Sequence, residues 1–90
     1  MRFALLAKDK PGALQTRMDN REAHLTYVAD TNVVEVAGPL LDADGQMCGS
    51  LLILDVADLA AAEEWAANDP YAKAGLFGEV TLSAWKKVIG

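Results

Sequence analysis

The sequence predicts an α+β sandwich of strand–helix–strand–strand–helix–strand order. Three observations carry that expectation. Short apolar runs are bounded by Pro-Gly, Asp-Gly and Asp-Pro punctuation. Two longer segments between them space their apolar residues like helices. Two of the strand-like runs are apolar without alternation, as strands covered on both faces are. At 90 residues the chain fits one small domain, taken here as residues 1–90.

Residues 2–8 (RFALLAK) read as the first strand, closed by Pro11-Gly12. Residues 13–30 read as an amphipathic helix, with Leu14, Met18, Leu25 and Val28 near one stripe and Gln15, Asp19, Asn20 and Glu22 opposite. Residues 33–41 (VVEVAGPLL) read as a second strand. Pro39 cannot donate to a sheet ladder, so Gly38-Pro39 marks an edge, a bulge or a bend. Asp44-Gly45 favours a tight reversal into a third strand, residues 47–56. Residues 57–68 are rich in alanine and read as the second helix. Asp58 is its candidate N-cap, Leu59, Ala62 and Ala66 are its core candidates, and Trp65 flanks them. Pro70 ends that helix, a short turn follows, and residues 76–85 form the last strand. The resulting order is that of a split βαβ, ferredoxin-like sheet with both helices on one face. Leu51 to Leu54 is apolar on both faces, and Phe3 to Ala7 nearly so. With helices on one side only, a second copy packed sheet to sheet is expected to cover the other, making a homodimer.

Composition narrows the functions. The chain is 52% hydrophobic and 23% charged, with a net charge of −5. Nucleic-acid binders carry a basic stripe, so that class is disfavoured. No apolar run approaches the length of a membrane helix, and the start has neither a secretory apolar region of adequate length nor a cleavage signature. With one thiol, Cys48, the reading is cytoplasmic. One cysteine excludes an internal disulfide or a cysteine metal cluster, and one histidine, His24, excludes a multi-histidine zinc site. No phosphate loop or dinucleotide fingerprint occurs, so no cofactor and no metal are implied. Proton-transfer chemistry near neutral pH would pass through His24.

Arg17, Arg21, His24 and Val28 follow at steps of four, three and four, which sets them along one helical ridge. They are candidates for a site at the margin of the core that takes an anionic small molecule. A solvated edge whose arginine stems pack on apolar surface explains them equally simply. Taken singly, Asp69-Pro70 is a helix stop, Gly38-Pro39 an edge-strand bend, Cys48 a small core residue, and Trp65 and Trp85 packing residues.

Together the pieces say more. Arg21, His24, Leu25 and Tyr27 (R-x-x-H-L-x-Y), then Ala37 to Leu40 (A-G-P-L), then Asp44-Gly45, then Asp69-Pro70-Tyr71, then Gly75-Leu76-Phe77 follow in order, within a resemblance that covers roughly Phe3 to Trp85. In that order and spacing they resemble the YciI-like, or YCII-related, family. The resemblance implies a ferredoxin-like fold assembled as a dimeric α+β barrel, similar to muconolactone isomerase. It also implies a histidine and aspartate with an enzymatic role, at His24 and Asp69 here, and one branch of the family is a dehydrochlorinase acting on a chlorinated hydroxyhydroquinone. An imidazole oriented by a carboxylate suits acid–base chemistry. Arg21 and Arg17 would then hold a phenolate or carboxylate, and Gly38, Pro39 and Tyr71 would line the pocket. The expected activity is isomerase, lyase or dehydrohalogenase chemistry on a small aromatic or hydroxylated acid. The alternative is a non-catalytic ligand-binding or assembly module on the same scaffold.

Overall fold

A computed structural model describes all residues, 1–90. Phe3, Leu5 and Ala7 alternate along β1 (Arg2–Asp9), and all three are buried. Paired residues on neighbouring strands project to the same face of a sheet. The antiparallel β3 (Met47–Asp55) matches Phe3 with Leu54, Leu5 with Leu52 and Ala7 with Ser50. On the other side of β1, the antiparallel β4 (Phe77–Trp85) sets Leu82 beside Leu5. β2 (Val34–Leu41) is an edge strand on β3, giving the order β2-β3-β1-β4. The fold is therefore the expected α+β, ferredoxin-like βαββαβ sandwich.

Proline sits where the ladder tolerates it. Gly38 and Pro39 lie in the outermost strand, opposite Leu51 and Ser50, and the register shifts fall elsewhere, between Val34 and Val36 and between Leu40 and Leu41. The β2–β3 hairpin closes on Asp42, whose Oδ1 accepts from the Asp44 and Gln46 backbone amides at 2.9 and 3.0 Å. Gly45 takes the positive φ of 80° that the reversal requires.

α1 (Leu14–Thr31), α2 (Leu59–Asn68) and the single-turn α3 (Pro70–Lys73) cover one face. The core cluster joins Phe3, Leu5, Ala7, Leu52 and Leu54 of the sheet to Ala62 and Trp65 of α2. Asp58 caps α2, accepting from the Ala61 amide at 2.9 Å. Three expectations about side chains are corrected. Leu59 is half exposed, and Trp65, expected to flank the core, lies in it, its indole N–H donating to Thr31 Oγ1. Cys48 is only half-buried. The face of α1 turned inward is also different. Met18 and Leu25 are each nearly half exposed, whereas Arg17 and His24 are buried. The physical reason is that polar partners meet those two residues on the sheet and on α3.

The opposite face of the sheet is open. Leu6, Leu51, Val36 and Trp85 are each 38–60% exposed there; Leu6 pairs directly with Leu51, and the buried Ile53 pairs with Ala4 on the same face. No helix is long and apolar enough to cross a membrane.

Candidate active site

α1 brings its ridge over the end of the sheet where β1 runs into the Pro11-Gly12 loop. Arg17 forms a bidentate pair with Asp9 at the end of β1, Nε to Oδ2 at 2.7 Å and Nη2 to Oδ1 at 2.8 Å. Nη2 also donates to Ser50 Oγ on β3 at 2.9 Å. Both charged side chains are about 95% buried, a cost that only good geometry and full pairing offset. Burial by itself would loosen the guanidinium's proton. The hydrogen bonds and charge of Asp9 outweigh it, and Arg17 is held protonated more firmly than a free arginine.

Two turns further along α1, the His24 ring nitrogen Nδ1 lies 2.8 Å from Asp69 Oδ1. Asp69 occupies the corner between α2 and α3. Its backbone N–H reaches Ala66 O, closing α2, and its Oδ1 accepts from the Tyr71 amide at 3.0 Å, capping α3. The helix stop read in Asp69-Pro70 is thus also what aims the carboxylate at His24. An ionised carboxylate only accepts. Its partner Nδ1 therefore carries the proton, which leaves Nε2 as the free basic atom.

Tyr71 stands between the two ridge residues. Its ring stacks on His24 with centroids 4.0 Å apart and an 11° interplanar angle, and the Arg17 guanidinium carbon lies 4.7 Å from its centroid. Burial pushes the Tyr71 phenol above its ordinary value, Arg17 and Arg21 opposing, so the hydroxyl stays protonated.

These groups meet in a cavity of about 190 Å³. An engineered cavity of about 150 Å³ holds benzene, so this one suits a single substituted ring. Arg17, Arg21, His24, Gly38, Pro39 and Tyr71 all line it; Asp69 stands behind His24, almost wholly buried. Leu25, Ala37, Met47 and Leu52 supply apolar wall. No carboxylate lines the cavity, and Arg21 has no acidic partner. Two residues escaped the sequence reading. Ser50 is part of the lining, and Asp9 fixes Arg17 from outside it. A serine among the inward positions Ser50, Leu52 and Leu54 is the one signal that could have flagged Ser50; Asp9 had none. No group of three or more His, Cys, Asp or Glu side chains is placed to hold a metal ion.

Comparisons with known proteins agree with the fold. The family model described as the YCII-related domain matches residues 1–86. The chain is 33% identical to protein YciI of Escherichia coli, over 98% of this chain and 99% of that one. Among solved structures, the 5-chloro-2-hydroxyhydroquinone dehydrochlorinase of Burkholderia phenoliruptrix, in complex with 2,5-dihydroxybenzoquinone, aligns at a TM-score of 0.89 and 39% identity. It covers 96% of this chain and 94% of that one. Rv0793 of Mycobacterium tuberculosis shares the fold at a TM-score of 0.65 and 15% identity, with both chains fully covered.

Proposed function

The chain belongs to the YCII-related domain family, and from that premise we propose that it is a small cytoplasmic enzyme of acid–base type. Its substrate is a small aromatic or hydroxylated acid, and the reaction is of isomerase, lyase or dehydrohalogenase class. The observation that carries this reading is the buried His24–Asp69 contact of 2.8 Å at the wall of a ring-sized cavity free of carboxylates. The dehydrochlorinase of Burkholderia phenoliruptrix, which acts on a hydroxyquinol ring, supports it.

In this mechanism His24 Nε2 takes a proton from a ring carbon or hydroxyl. The electron pair of a broken C–H bond delocalises onto a ring oxygen, whereas that of a broken O–H bond stays on its oxygen; from there it can push back through the ring. The protonated imidazole is stabilised by Asp69 and kept in orientation by the Tyr71 stack. Return of the proton to another atom completes an isomerisation. Departure of a leaving group with its electron pair completes an elimination. Arg21 at the mouth draws in the anion, and Gly38 and Pro39 shape the wall beside it. The working form is a homodimer, a second copy covering the open sheet face.

The test is turnover of chlorinated and unchlorinated hydroxyhydroquinones by the wild-type protein and by His24→Asn. Loss of about 10²–10⁴-fold in kcat is expected for the variant, the usual contribution of a positioned acid or base. A His24→Asn protein as active as wild type sinks the mechanism.

A further inference from the structure

Three polar groups at the buried end of the cavity are not used by the His24–Asp69 pair. Arg17, Ser50 and Tyr71 are each at least 96% buried and each lines the cavity. Arg17 spends Nε and Nη2 on Asp9 and Ser50, so Nη1 and its two hydrogens are unspent. Ser50 Oγ accepts from Arg17, so its own O–H is free to donate. The Tyr71 hydroxyl oxygen lies close to the Arg17 guanidinium, which can only donate to it, so its own O–H is unspent, and no polar side-chain atom sealed from solvent lacks a partner. The Tyr71 hydroxyl and Arg17 Nη1 therefore open onto the cavity.

From this geometry we infer that Arg17, Ser50 and Tyr71 form an oxyanion socket that binds a phenolate or enolate oxygen of the ligand, apart from the base that moves the proton. Each of the three groups offers an unspent N–H or O–H, and no carboxylate lines the cavity to compete for them, so an oxyanion is a better guest than a neutral hydroxyl. The Tyr71 phenol, pushed up by burial, keeps its proton and remains a donor. Asp9 fixes the guanidinium from behind without entering the cavity, so the donors are aligned before a ligand arrives. The inference rests on the proposed function for the identity of the substrate. Within that reading it names the substrate class: a ring whose oxygen carries the charge released when His24 removes a proton.

The socket can be tested without turnover. 4-Nitrophenol is titrated in the presence of saturating protein, and its phenolate is followed by absorbance. A hydrogen bond to a charged group shifts such an equilibrium by about tenfold or more. The bound phenol is expected to ionise about tenfold more readily than in water. Tyr71→Phe, which keeps the ring stack, and Ser50→Ala each remove several-fold of that preference. Glu63→Gln, exposed and outside the lining, leaves it intact. A bound nitrophenol that ionises no more readily than the free one overturns the socket. So does absence of saturable binding, or a preference that survives Tyr71→Phe and Ser50→Ala together. A full-strength phenolate preference beside an undiminished His24→Asn turnover keeps the socket and discards the acid–base mechanism.

Discussion

An arginine buried beneath a helix is tolerable only if its charge is met, and Arg17 is met by both oxygens of Asp9. Removing one partner of such a pair strands the other, so Asp9→Asn is expected to cost about 3–5 kcal/mol of stability, read from urea denaturation at neutral pH. The double replacement of Arg17 by Met and Asp9 by Leu should restore much of the loss, because it strands no charge. Tyr71 adds a pH dependence of fixed sign. Its folded-state phenol value is raised, chiefly by burial, above the ordinary 10.0. The native state then holds a proton that the unfolded chain gives up. Stability is fully present below pH ~10 and falls as pH rises through the folded value. Tyr27, raised by burial and by Asp69 and Glu64, acts with the same sign. Alkaline unfolding of Tyr71→Phe should show a shallower decline above pH 10 than wild type, and an unchanged slope would refute the assignment. At this scale His24 was legible because it is the only histidine on a polar ridge. Its partner lies 45 residues away and came into view through family resemblance alone. Asp9, just past the 2–8 strand, carried no signal, because an Asp–Arg spacing across a turn has no periodic signature.

At the scale of elements, the strands were readable and one helix face was not. A period of two fixes which strand residues share a face, and Phe3, Leu5 and Ala7 obey it. The second helix announced its start through Asp58 and its end through Pro70. α1 obeyed its period but not its polarity. Met18 and Leu25 outrank Arg17 and His24 in hydrophobicity, yet the latter pair faces inward. Partner availability decided that rotation, and partners supplied by β1, β3 and α3 are invisible to a pattern read on one helix. The central strand sets a sharper constraint. A Cβ built on Gly49 would collide with the Ala7 backbone carbonyl and press on Leu40 Cδ1, and backbone cannot swing aside as a side chain can. Gly49→Ala is therefore expected to lose about 1–3 kcal/mol, the usual cost of overpacking. It should also weaken ligand binding, because β3 carries Ser50 next in sequence. Gly38→Ala, where nothing lies within 4 Å of the added carbon, should be nearly neutral in the same denaturation assay.

The whole molecule leaves one question to association. The chain's accessible surface is 5589 Å², and a specific interface of standard size takes about 800 Å² from each partner. The open sheet face exposes Leu6 paired with Leu51, and Val36 and Trp85 besides, apolar surface of the kind that marks an interaction surface. A two-fold axis over that patch would set like residues of two copies against each other. Leu51→Glu tests this with little damage to the fold, since Leu51 is already 38% exposed in the single chain. Light scattering at micromolar concentration should give twice the chain mass for wild type and the single mass for Leu51→Glu. Because association stabilises the folded state by mass action, the wild-type melting temperature should rise with protein concentration and the variant's should not. The variant also reports on the site. Leu51 pairs across β2 with Gly38, which lines the cavity. If the second copy stiffens that edge strand, Leu51→Glu should bind 2,5-dihydroxybenzoquinone several-fold more weakly while His24 and Asp69 remain in contact. A wild-type protein that stays monomeric under these conditions would remove the second copy from the proposal and require another cover for the open face.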